Sequence, residues 1–129
     1  MTERSPEHAV AMINAYASAA TETRVDDIAD LFAEDAELRD PYDGTPVTGR
    51  AAIREFFEAG APMIDHLAVN GPVRVTGDAA TAAAPMIAHV DMGGTKLEMD
   101  TVDVFFFDEG GRIAAMHAFY GPTNVRPKE

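Results

Sequence analysis

Tyr16, Asp40 and Asp103 are the residues of this chain whose types and settings could do chemistry. Asp103 lies in Leu97-Glu98-Met99-Asp100-Thr101-Val102-Asp103-Val104-Phe105-Phe106-Phe107, which reads as a β-strand. Side chains alternate between the faces of a strand, so Asp103 shares a face with Leu97, Met99, Thr101, Phe105 and Phe107. An ionised carboxyl on an apolar face is costly; it finds a partner or keeps its proton through a raised pKa. A protonated acid there donates a hydrogen bond and can hold developing negative charge. Asp40 ends a short strand pattern just before Pro41, and Tyr16 lies on the apolar face of a helix. Taken singly, Asp40 is a turn initiator, Tyr16 a core tyrosine, and Asp103 a carboxyl satisfied by a neighbouring His or Arg.

The elements that must position these groups are legible as a pattern. Ser5-Pro6 supplies an N-cap and first helical residue, and the helix over 6–21 places Ala9, Met12, Ile13, Tyr16 and Ala20 on one face. A second helix is expected over 25–32, its acidic residues Asp26, Asp27 and Asp30 forming a solvated face. A strand over 36–40 points Ala36, Leu38 and Asp40 one way, and Pro41 and Asp43-Gly44 break it. A third helix over 50–59 buries Ile53, Phe56 and Phe57 and stops at Gly60.

The second half reads as a β-meander. Strands are expected over 66–70 and 72–76, a long hairpin over 79–91 and 96–107 across Met92-Gly93-Gly94-Thr95, and a last strand over 112–120. The tail over 123–129 reads as frayed. Helices first and an antiparallel sheet after give an α+β fold, one domain over 1–129. Helices on the concave face of a curved sheet leave a pocket between the layers. Met86, Ala88 and Val90 are in phase to face it with Asp103; Met116, Ala118 and Tyr120 share one face of the last strand. Small and flexible side chains suit a cavity for a rigid hydrophobic ligand.

Tyr16, then Asp40-Pro41-Tyr42, Gly49-Arg50 opening a helix, Asp100-Thr101-Val102-Asp103-Val104, and Phe107-Asp108-Glu109-Gly110-Gly111-Arg112-Ile113 follow one another in this order. In this the chain resembles the bacterial Δ5-3-ketosteroid isomerases, within the nuclear-transport-factor-like (SnoaL-like) fold superfamily. The resemblance spans nearly the whole chain, and the coincidence of Tyr16, Asp40 and Asp103 is its most specific part.

It implies a cone-shaped α+β domain, with N-terminal helices on the concave face of a curved mixed or antiparallel sheet, and a homodimer formed across the outer sheet face. It implies conversion of a β,γ-unsaturated 3-ketosteroid to the conjugated enone without a cofactor. Asp40 then carries the proton, and Tyr16 and protonated Asp103 donate to the oxyanion; this enzyme family is itself a known case of a carboxylic acid kept neutral in an apolar site. Phe57, Met86, Ala88, Met116, Ala118 and Tyr120 become the expected wall of the steroid site. The chain departs from the family where Phe32 and Phe57 stand in place of supporting tyrosines, and where Tyr120 replaces a tryptophan of one branch.

Composition narrows the alternatives. The net charge of −12 argues against nucleic acid or anionic membrane as a partner. No cysteine is present, which removes disulfide and thiolate chemistry. His8, His66, His89 and His117 lack metal-ligand spacing, so no metal is expected. With no signal segment or membrane-length apolar run, the expected location is the cytoplasm. The same superfamily fold also hosts polyketide cyclases, dehydratases and epoxide hydrolases, as well as non-catalytic hydrophobic-ligand-binding modules. The first two often use His, yet His89 and His117 are out of phase with Asp103.

Overall fold

Ser5 caps the first helix: its side-chain oxygen accepts from the His8 amide at 3.1 Å, and Pro6 takes a position whose missing N–H costs nothing. This helix, α1 (Pro6–Thr21), buries Ala9, Ile13, Tyr16, Ala17 and Ala20 at helical spacing. Its end is tied to the sheet where the Thr21 hydroxyl accepts from the Leu67 amide at 2.9 Å. The computed structural model describes residues 3–129.

Helix α2 (Val25–Asp30) is shorter than its apolar pattern implies. Leu31 and Phe32 are drawn away from it. The Leu31 carbonyl accepts from the Ile113 amide at 2.9 Å, and the Arg50 guanidinium donates twice to the Phe32 carbonyl, at 3.0 and 2.7 Å. The chain therefore enters strand β1 (Phe32–Arg39) at residue 32, not at 36. A register shift between Phe32 and Glu37 turns Glu34 and Asp35 out to solvent and hides the strand's alternation from the sequence. Strand β2 (Val47–Thr48) pairs with β1, and helix α3 (Arg50–Gly60) buries Ile53 and Phe57.

The remaining strands are β3 (Ile64–Val69), β4 (Arg74–Val75), β5 (Thr81–Met92), β6 (Thr95–Phe107), β7 (Ile113–Phe119) and β8 (Val125–Pro127). The sheet order is β2-β1-β7-β6-β5-β3; β4 adds to β5 and β8 to β6. Only β1 and β7 are parallel among these pairs, so the sheet is mixed. The long hairpin turns at Gly93 and Gly94, with φ of 65° and 98°, the positive values that a two-residue hairpin turn requires.

The carboxyl-terminal tail is not frayed. After β7 it turns at Pro122–Asn124 and rejoins β6 as β8, with Met99 opposite Val125 and Glu98 opposite Arg126. Arg126 reaches Asp100 at 2.6 Å and Glu98 at 3.2 Å, which fastens a segment whose composition gives no strand signal.

Helices α1 and α3 cover the inner face of the sheet. Phe32, Phe105, Ile13, Leu38, Ile53 and Ile113 form the fully buried centre of the core. No helix among the described residues is long and apolar enough to cross a membrane.

Gly49 sets the entry angle of α3. Its φ of 93° and ψ of 145° belong to a region that other residues reach only under strain. Space is not limiting, since an added Cβ would meet only the Glu34 carbonyl oxygen, at 3.9 Å. Gly49→Ala is expected to lower unfolding free energy by about 1–3 kcal/mol in urea denaturation. An unchanged midpoint would show that α3 enters without strain.

Candidate active site

The inner face of the sheet and helices α1 and α3 enclose a cavity of about 270 Å³. Tyr16, Asp40 and Asp103 all line it. Asp103 arrives on β6, whose alternation turns it inward between Ala84 of β5 and Ala118 of β7. Two alanines leave room for a carboxyl and offer it no hydrogen bond. Asp40 follows the last residue of β1. The Tyr42 amide donates to the Ala118 carbonyl at 2.8 Å, which holds the Asp40-Pro41-Tyr42 bend against β7. Tyr16 is 3% exposed, and its ring is met edge-on by Phe57 and Phe105 at centroid distances of 5.9 and 5.8 Å. Two edge-on aromatic contacts fix the plane of the phenol.

The wall matches expectation in part. Phe57, Ala88, Ala118 and Tyr120 line the cavity. Met86 and Met116 do not: both are fully buried in the core cluster with Phe105 and Ile13. Their strand phase is correct, but phase selects a face and not the depth at which a helix covers it. The rest of the wall comes from residues outside those six. Phe56, Gly60, Met63 and Ile64 close the α3 side; Leu67, Val90, Met92 and Met99 complete the apolar end. Val90 lies where its strand phase with Asp103 places it, and Met99 shares that face of β6 by the same alternation. Thr101 also lines the cavity and donates to Asp103 Oδ1 at 3.0 Å; its place two residues before Asp103 was the available signal.

The two carboxyls sit in unlike surroundings. Burial pushes the Asp103 carboxyl from 3.8 up to about 7; the charge of Asp40 adds to the rise, and the Thr101 hydroxyl opposes it. Burial also raises Asp40, and the Tyr120 hydroxyl nearby opposes only part of that rise. Burial, followed by the charges of Asp103 and Asp40, holds the Tyr16 phenol well above its usual value, so Tyr16 is a donor. Two carboxyls in unlike surroundings and a neutral phenol thus share one apolar cavity. The arrangement can remove a proton from carbon and hold the negative charge that results.

The positions expected to carry supporting tyrosines hold Phe32 and Phe57, with ring centroids 6.3 Å apart. His89 lies out of phase with Asp103, opposite Glu98 of β6. His117 likewise turns outward, with Nε2 3.1 Å from Glu37. Neither lines the cavity.

A SnoaL-like domain matches residues 13–116. The chain belongs to the SnoaL-like family. A steroid Delta-isomerase of Nocardioides simplex is 37% identical over 100 residues, which span 76% of this chain and 77% of that protein. Among solved structures, the SnoaL-like chain is similar to SalBIII, described as an epoxide hydrolase/cyclase-like enzyme with a role in pyran ring formation in the polyether salinomycin. The TM-score is 0.84 at 26% identity, over 95% of this chain and 97% of that one. The α+β cone architecture of the SnoaL-like, nuclear-transport-factor-like superfamily is therefore the fold of this chain.

Asp103 has a consequence for stability. Its folded pKa, about 7, lies above its ordinary value of 3.8. Its contribution is therefore fully present below the unfolded value and is lost as pH rises through about 7. At about 1.36 kcal/mol per pH unit, the ceiling is roughly 4 kcal/mol. Asp103→Asn should remove that part of the pH dependence and be the more stable chain at about pH 8, by urea denaturation at two pH values. Identical pH slopes in the two proteins would contradict a raised Asp103.

Proposed function

We propose that this chain is a steroid Δ5-isomerase, which converts a β,γ-unsaturated 3-ketosteroid to its conjugated enone by intramolecular proton transfer. The observation that carries the proposal is the pairing of unlike carboxyls, Asp40 and Asp103, with the Tyr16 phenol on one apolar cavity. The similarity to a steroid Delta-isomerase supports the substrate class.

Asp40 takes the proton from the carbon between carbonyl and double bond. The electron pair moves onto the carbonyl oxygen and a dienolate forms. Tyr16 and protonated Asp103 donate to that oxygen, and Asp40 returns the proton two carbons further along. A single base suffices because both carbons lie on one face of a rigid ligand. The Tyr120 hydroxyl, also on the cavity wall, opposes part of the rise that burial imposes on the Asp40 carboxyl. Phe57, Ala88, Ala118 and Tyr120 contact the apolar ligand skeleton.

The similarity to SalBIII favours a second reading for the same groups, in which Asp103 protonates an epoxide oxygen while Asp40 activates an internal nucleophile. Ultraviolet detection of enone formation from a β,γ-unsaturated 3-ketosteroid separates the two. Asp40→Asn keeps shape and removes the base. Turnover should fall by about a hundredfold to ten-thousandfold while ligand affinity is retained. Turnover near wild type would sink the assignment. Tyr16→Phe and Asp103→Leu should each slow turnover, and losing both should be far worse than losing either.

The outer sheet face completes the proposal. Val102 and Phe119 are exposed there, Tyr42 stacks on Phe119 at 4.8 Å, and Phe106 packs beside His117. We infer that this face joins two copies as a homodimer. The chain should sediment as a dimer, and Val102→Glu combined with Phe119→Glu should sediment as a monomer. A monomeric wild type would overturn the inference.

A further inference from the structure

The Thr101 hydroxyl donates to Asp103 Oδ1 at 3.0 Å, from the same inner face of β6. Both side chains line the cavity. Among the described residues, this is the only protein hydrogen bond that either side chain makes. A neutral carboxyl that accepts at one oxygen carries its proton on the other. With Oδ1 engaged by Thr101, the acid proton falls on Oδ2.

We propose that Thr101 is a positioning residue: its hydroxyl fixes the rotation of the Asp103 carboxyl and selects Oδ2 as the oxygen that donates to the ligand. The inference rests on the isomerase reading for the identity of the ligand oxygen, while the coupling of Thr101 to Asp103 does not. It places support for the oxyanion site on the acid side, where Phe32 and Phe57 give none on the phenol side. The groups that face Asp103 from other elements are Tyr16 of α1, Asp40 beyond β1 and Tyr120 beyond β7; its strand partners Ala84 and Ala118 bring no charge.

Because the Thr101 hydroxyl donates, it favours ionised Asp103, and its loss moves the carboxyl further up. Thr101→Val keeps the shape and β-branching of the side chain, and Thr101→Ser keeps the hydroxyl. The carboxyl carbon of Asp103 is titrated by 13C NMR in the ligand-free wild type and both variants, with Asp103→Asn identifying the signal. Thr101→Val should raise the midpoint by about half a pH unit or more, and Thr101→Ser should restore it.

Turnover of the β,γ-unsaturated 3-ketosteroid gives the second readout. At about pH 5.5, where Asp103 is protonated in both chains, kcat of Thr101→Val should fall about two- to tenfold at unchanged KM, and Thr101→Ser should recover it. On the alkaline side the Thr101→Val profile should extend to higher pH, so the two profiles draw together or cross. An Asp103 midpoint in Thr101→Val equal to that of wild type overturns the proposal, as does an unchanged kcat at low pH. The isomerase reading fails on a different result, the absence of enone formation by the wild-type chain. The 13C midpoints then decide the hold of Thr101 on Asp103 by themselves.

Discussion

The removal of one carboxyl from water governs this molecule. Asp103 is 4% exposed, on a strand face otherwise given to packing. In water it would be ionised at neutral pH and useless as a donor. Between Ala84 and Ala118, with Phe105 two residues on, its proton is retained up to about pH 7. The site therefore needs the sheet to be complete around β6 before it has any chemistry, because each neighbouring strand excludes water from one side of the carboxyl.

The second carboxyl depends on the first by contrast. Asp40 is half-buried, at a strand end where the chain bends and the Tyr120 side chain lines the same cavity. Its charge then helps to keep Asp103 neutral. The separation of roles comes from position in the sheet: a mid-strand carboxyl between small apolar partners, and a strand-end carboxyl beside a hydroxyl. Tyr16 adds a donor whose plane is fixed by aromatic edges and not by a chain of hydroxyls, since Phe57 stands against it and Phe32 behind Phe57. Such packing gives rigidity without polarising the phenol.

The same alternation that turns Asp103 inward turns Val102 and His117 outward. One strand register thus makes both the cavity and the apolar outer surface with its Glu37–His117 contact at 3.1 Å. A shift of one residue in β6 would exchange the two faces and abolish both at once. The paired ladders from β5 to β7, and β8 beyond them, hold that register along most of β6.

Local periodicity by itself determined much of this protein. The extent of α1, the start of α3, the Gly93-Gly94 turn and the inward phase of Asp103 follow from spacing and turn chemistry within a few residues. Tertiary structure decided what depends on distant partners. Phe32 reads as helix until Arg50 and Ile113 claim it and its neighbour for the sheet. Residues 125–127 carry no strand pattern of their own and become β8 only because β6 offers unpaired backbone beyond β7. Met86 and Ala88 lie two residues apart on one face, yet one is core and the other cavity wall, because helix coverage decides depth and strand phase does not. Tyr120 and Asp40 meet on one cavity from elements far apart in the chain, and no spacing rule reports that. The bond from Thr101 to Asp103 lay within reach of the strand pattern, but its significance depends on a cavity that only the folded chain encloses.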